Sequence, residues 1–324
     1  MIEESTDSTL HPGSNDRLRR ALRSALTIFS VVVFLALGGV AACVEQNDPK
    51  RTVESLREKS PTLRDKVRLR VGVRETLPYL SFRDPNTGVR SGFEIEIAKA
   101  LAADLGFSEE RIDWVTVTNV QNRMHVLQAN QADMVVASLT MLADRPVDFA
   151  GPYQLVPQAV MVNKQHTKRI DTVTDLRAPD IIVCTGIGST SSQALEAKGI
   201  RLELVNDREQ CIEGMKSGRY DAFSSDLPIL ASIVATNANR FEILSLIVAD
   251  AEERIGVAVP KGDTALRDLI AYFLNRWLHG PQPSPWLLAY DRTIGPYLDA
   301  RFRSQPLVDN PPQLVDYDSK VRPQ

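Results

Sequence analysis

The stretch Ala132 to Tyr153, ADMVVASLTMLADRPVDFAGPY, gathers two hydroxyls and a guanidinium in a short run: Ser138, Thr140 and Arg145. Met134 to Ser138 reads as a buried strand. A core strand that runs out into Ser138 and Thr140, with Arg145 shortly after, has two readings. One is an ordinary solvated loop. The other is a strand end equipped to hold an anion, because hydroxyls and a guanidinium all donate to negative oxygen. A related spacing recurs downstream: Asp133 precedes Ser138 by five residues, and Asp221 precedes Asp226 by five. Each unit shows a helix, a turn, an Asp opening a strand, and a polar side chain at the strand's carboxyl end. In open α/β sheets that is the end where ligands sit. Two such units facing each other would enclose a small molecule between them.

The elements that must position these groups alternate from Val67 onward. VRLRVGV is a strand, and GFEIEIAKALAADLG is a helix with Phe93, Ile97, Leu101 and Leu105 on one stripe, Glu94 and Glu96 in its first turn and Gly106 as its stop. VQNRMHVLQANQ is a second helix, leading into the strand at Met134. This is a βαβ pattern with a parallel sheet. PDIIVCTGIGSTSSQALEAKGI repeats the idea, running from a strand through a glycine and hydroxyl turn into a helix. Asp133 and Asp221 read as structural turn residues, and Leu266 to Leu278 as core packing.

Whole-chain properties bound the function. At 324 residues the chain holds two compact units or one bilobed unit. With 43% hydrophobic and 24% charged residues it is a globular protein, and a net charge of -3 leaves no basic footprint for nucleic acid. The four histidines, His11, His125, His166 and His279, are scattered without Cys or acidic neighbours at ligand spacing, so no metal site and no cofactor are expected.

Residues 1–43 read as an export signal. RLRRALR supplies a basic region, Ser24 to Ala42 is an uncharged, mainly apolar run, and VAAC closes it at Cys43 in the manner of a lipobox, whose cysteine takes a diacylglycerol. An uncleaved membrane anchor is the alternative. Residues 44–66 read as a polar linker and 301–324 as a disordered, proline-rich tail. Export places Cys184 and Cys211 in an oxidising compartment, where two lone cysteines are natural disulfide partners. The alternative is that both are small buried hydrophobes.

Five segments resemble, in order, the extracellular solute-binding proteins of family 3, the amino-acid receptors of bacterial ABC transporters. They are GFEIEIAKALAADL (Gly92 to Leu105), SLTMLADRPVDFAGPY, GSTS (Gly188 to Ser191), GRYDAFSSD (Gly218 to Asp226) and GVAVPKGD (Gly256 to Asp263). The resemblance spans about Val67 to Tyr297. It implies an α/β, two-lobed periplasmic-binding-protein-like type II fold with a ligand cleft and a two-segment hinge. Lobe 1 would take about 67–154 and 254–300, and lobe 2 about 155–253. It also implies a monomer without catalysis, held at the membrane through its lipid and partnered by permease subunits.

An α-amino acid carries a carboxylate and an ammonium on one carbon. Arg145 suits the carboxylate through its planar fork, with Ser138 and Thr140 adding donors. Ser189 and Thr190 can close on the same group from a helix start, and Asp226 takes the ammonium. Arg74, at a strand end and followed by Glu75, resembles the branch that binds glutamate and aspartate, glutamine being the alternative ligand, with Tyr79 and Phe82 as an apolar wall. Each residue has a duller reading: Arg145 paired with Asp144, Asp226 or GSTSS serving as helix caps, Arg74 paired with Glu75 or lying on the surface. Two further functions fit the resemblance, an amino-acid sensor with a membrane partner and a dehydratase on the same fold.

Overall fold

The computed structural model describes residues 51–165, 168–246, 248–249 and 251–314. The expected signal segment with Cys43 lies outside the described residues, as does the end of the expected tail. Among the described residues no helix is long and apolar enough to cross a membrane.

Helix α1 (Val53–Lys59) is opened by a capping box, in which Thr52 and Ser55 each accept the other's backbone N–H. Strand β1 (Leu69–Val73) follows, then β2 (Thr76–Leu77), β3 (Ser81–Arg83) and β4 (Arg90–Ser91), which form a small antiparallel sheet. Helix α2 (Phe93–Asp104) buries Phe93, Ile97 and Leu101, the stripe its spacing predicts. Next come β5 (Ile112–Thr116), α3 (Val120–Gln128), β6 (Met134–Thr140) and β7 (Asp148–Val156). The chain continues through β8 (Gln158–Asn163), β9 (Val183–Gly186), α4 (Thr190–Ala197), β10 (Leu202–Val205), α5 (Arg208–Lys216), β11 (Ala222–Asp226), α6 (Leu227–Thr236) and β12 (Phe241–Leu244). It returns through β13 (Glu253–Val259), α7 (Thr264–His279) and α8 (Pro285–Arg292).

Two five-stranded sheets result, ordered β5-β1-β6-β13-β7 and β10-β9-β11-β8-β12. The chain passes from the first to the second at Pro157, between β7 and β8, and comes back between β12 and β13. The expected α/β, two-lobed architecture is therefore present, with one difference. Both sheets are mixed, because β13 runs antiparallel to β6 and β7, and β8 antiparallel to β11 and β12. Apolar runs report burial on both faces; strand direction is set by partners distant in sequence. Strand β6 is buried along its whole length.

One device recurs at the foot of each central strand. Asp133 accepts the Arg70 N–H of β1 at 2.7 Å, and Asp221 accepts the Ile182 N–H beside β9 at the same distance. Each carboxylate also holds a lysine, Lys66 and Lys168 respectively. Both aspartates thus fix where a neighbouring strand begins. In the second sheet Cys184 of β9 and Cys211 of α5 are disulfide-bonded, and both are fully buried.

Two segments expected to be loose are packed. Within the expected linker, Leu56 and Leu63 join the core, and the Ser60 hydroxyl and Thr62 N–H both donate to Asp263, the N-cap of α7. Within the expected tail, Val308 is buried, Asp309 pairs with Arg254, and its N–H donates to the Gly151 carbonyl. Single anchors of this kind leave no period in a polar sequence. The stripe of α7 behaves as expected, burying Leu266, Leu269, Ile270, Phe273, Leu274 and Trp277.

Candidate ligand-binding site

Strand β6 ends in an unusual backbone. Ser138 has φ 47°, left-handed for a residue with a side chain. Its surroundings hold it there. The Ser138 N–H and hydroxyl both donate to Glu94 Oε1, at 2.6 and 2.7 Å, and the Tyr153 hydroxyl donates to the same oxygen at 2.8 Å. From the other side Arg123 Nη1 donates to the carbonyls of Ala137 and Ser138, at 2.8 and 2.6 Å. The Ser138 hydroxyl is therefore engaged within the fold. Glu94 has no exposed surface, and burial raises its carboxyl above the usual carboxylate range while the Arg74 charge opposes the shift.

Two residues beyond, the Thr140 carbonyl accepts Arg145 Nη1 at 2.7 Å, which aims the buried guanidinium of Arg145. Burial lowers the Arg145 pKa, and Glu253, Asp144 and Asp226 act against that. At the end of β1, Arg74 is 4% exposed, and neither its Nε nor its Nη1 has a hydrogen-bond acceptor among the described residues. Glu75 is engaged elsewhere, by Arg90 and by the Thr116 hydroxyl. Arg74 is thus neither on the surface nor hydrogen-bonded to its neighbour. Burial lowers its pKa, with Glu94 and Asp226 in opposition.

The second sheet supplies the facing groups. Ser189 is the N-cap of α4, accepting the Ser192 N–H at 3.0 Å and donating to the Gly186 carbonyl at 2.8 Å. The cap reading of Ser189 is thus present in the geometry. The next residue, Thr190, donates its hydroxyl to Glu253 Oε2 at 2.7 Å. Asp226 stands at the N-cap position of α6 yet makes no capping bond. Its carboxyl, buried, is pushed up to about 7, first by burial and then by Glu253, against the pull of Arg74 and Arg123.

All seven residues singled out in the sequence, Arg74, Ser138, Thr140, Arg145, Ser189, Thr190 and Asp226, line a single cavity. Its apolar lining comes from Val120, Leu139 and Ile229. Tyr79 and Phe82 do not line it; Tyr79 packs against Tyr297, with ring centroids 4.3 Å apart and the planes tilted by 36°. The sequence reading missed Arg123, which also lines the cavity, and the two carboxylates that organise it, Glu94 and Glu253. Glu94 was visible only as an acid in a first helical turn, and Glu253 carried no signal.

The arrangement offers buried guanidinium donors and a helix start on one side of a small ligand and a buried carboxylate on another. Two lobes of mixed sheet joined by two chain passages, with strand ends converging on one cavity, define the two-lobed type II binding proteins. The chain belongs to the bacterial extracellular solute-binding proteins, family 3, whose profile matches residues 69–279. It is 28% identical over 218 residues to the glutamate-binding protein GluB of Corynebacterium efficiens, covering 64% of this chain and 72% of that one. It is likewise 28% identical over 246 residues to the ABC transporter glutamine-binding protein GlnH of Bacillus subtilis, covering 74% and 85%. Among solved structures, an ancestral arginine-binding protein bound to glutamine superposes with a TM-score of 0.61 at 29% identity, covering 71% of this chain and 98% of that one.

Proposed function

We propose that this protein is the extracytoplasmic amino-acid receptor of an ABC transporter, that its ligand is glutamate or aspartate, and that it hands this ligand to permease subunits. In this reading Arg145, Thr140 and the Ser189 and Thr190 helix start take the α-carboxylate, and Asp226 takes the ammonium. Arg74 takes the side-chain carboxylate. The observation that carries the acidic preference is the Arg74 guanidinium, buried in the cavity wall with two nitrogens, Nε and Nη1, unmatched among the described residues. An apolar or basic side chain would leave that charge unpaired, whereas a carboxylate satisfies it.

The same reading has Cys43 carry a lipid that holds the protein at the membrane. It also divides the binding domain into moving lobes at about 67–154 with 254–300, and 155–253, which close on the ligand. Titration calorimetry of the chain from Val44 onward against the twenty amino acids tests the assignment. Glutamate or aspartate should bind most tightly. Preference for leucine or arginine would refute the acidic assignment, and no binding to any of the twenty would refute the amino-acid reading.

A further inference from the structure

Arg208, the first residue of α5, lies on the second sheet's side of the molecule and extends to the start of β2. Its Nη2 donates to the Thr76 hydroxyl at 2.7 Å, two residues along from Arg74. Its side chain is 13% exposed, and its Nε is buried with no hydrogen-bond acceptor among the described residues; the Glu209 carboxylate stands 3.6 Å from that nitrogen, too far for a hydrogen bond. With Arg74 Nε and Nη1, three buried guanidinium nitrogens lack acceptors among the described residues; Arg74 lines the cavity, and Arg208, outside that lining, reaches its neighbourhood through Thr76.

Two desolvated cations in each other's field are unfavourable on their own. Their mutual repulsion registers in Arg208, whose pKa is pushed down to about 9 by burial first and by Arg74 next. Glu209, Asp207 and Glu94 offset part of this charge but leave the donors unfilled. A carboxylate has lone pairs on both oxygens and can accept from two guanidinium groups at once. A carboxamide offers one oxygen and brings two N–H donors that face cations.

We propose that Arg208 joins Arg74, from the opposite lobe, as the second half of the receptor for the ligand's side-chain carboxylate, and so sets the preference for acid over amide. This rests on the acidic amino-acid reading above. An acidic side chain then gains its full set of donors only when the lobes meet.

Calorimetric titration of the unmodified protein, Arg208→Gln, Arg208→Lys and Thr76→Val with glutamate and with glutamine separates the possibilities. Arg208→Gln should weaken glutamate roughly thirtyfold or more and glutamine by less than about threefold. Arg208→Lys, keeping the charge without the planar fork, should fall between, and it serves if the Gln variant does not fold. Thr76→Val should leave the ratio of glutamate to glutamine affinity nearly unchanged. Equal weakening of both ligands by Arg208→Gln, or a ratio shift in Thr76→Val as large as that of the arginine variants, would overturn this assignment while leaving the acidic reading standing. An unmodified protein with no preference for glutamate over glutamine would overturn both.

Discussion

Thr140 and Thr190 donate to one and the same oxygen. Thr140 closes β6 in the first sheet and Thr190 opens α4 beside the second, and their hydroxyls reach Glu253 Oε2 at 2.6 and 2.7 Å. The acceptor is the first residue of β13, where the chain re-enters the first sheet. A single carboxylate at the crossing therefore fastens both sides of the cleft.

Glu253→Ala should loosen this contact. Each lost hydrogen bond to a charged group is worth about 1.5 to 3 kcal/mol, less where water can replace it. The ligand-free variant should show a larger radius of gyration by small-angle scattering and a lower unfolding temperature. Identical scattering curves for variant and parent would count against the latch.

Asp226 predicts a pH dependence of defined sign. Its carboxyl titrates near 7 in the fold and near 4 in an unfolded chain. Between those values the folded protein holds a proton that the unfolded chain has released, so the stability associated with this group falls as pH rises from about 4 through 7. A ligand ammonium favours the ionised form, so binding near pH 6 should expel a proton and tighten towards pH 8. Calorimetry in buffers of different ionisation enthalpy measures that proton, and Asp226→Asn should abolish it.

Arg74→Ala should weaken glutamate by about 2 to 5 kcal/mol, the range for truncating one partner of a buried charge pair, and glutamine by less. Equal losses for the two ligands would sink the assignment of Arg74 to the side-chain carboxylate.

Arg123 should matter through the backbone it supports. Its Nη1 supports the carbonyls of Ala137 and Ser138, and Arg123→Met leaves both without that donor. A loss of about 1 to 3 kcal/mol in urea unfolding is expected, since relief of the buried charge offsets part of the damage. Affinity should fall as well, because Ser138 is then free to leave its left-handed conformation.

The Cys184 to Cys211 bridge closes a loop with a sequence separation of 27. On the chain-entropy account that is worth roughly 3 to 4 kcal/mol. Replacing both cysteines by Ala should lower the unfolding temperature by that equivalent while ligand still binds at low temperature. An unchanged melting curve would show that the bridge contributes nothing.

The anionic end of the site was legible because β6 is an uninterrupted apolar run, so the hydroxyls and guanidinium that end it stand out. Asp226 was legible through the repeated five-residue spacing after an aspartate. Glu94 and Glu253 were not, because the place of a glutamate in a site is set by partners from elsewhere, here Ser138 and Tyr153 for one and two threonines for the other. The same holds for Arg208, whose reach to Thr76 spans 132 positions. Tyr79 misled because it sits in the turn between β2 and β3, with φ 66°, where its ring meets Tyr297 instead of the cavity.

Val156, the last residue of β7, and Glu253, the first of β13, are register partners across the antiparallel pair those strands form. In topological terms β7 and β13 are the two arms of one hairpin, and the entire second sheet with its helices is that hairpin's loop. Such a loop enters and leaves at one point, so the second lobe is a self-contained cassette: it can be lengthened, exchanged for a relative's, or replaced by a short turn without rerouting any strand of the first.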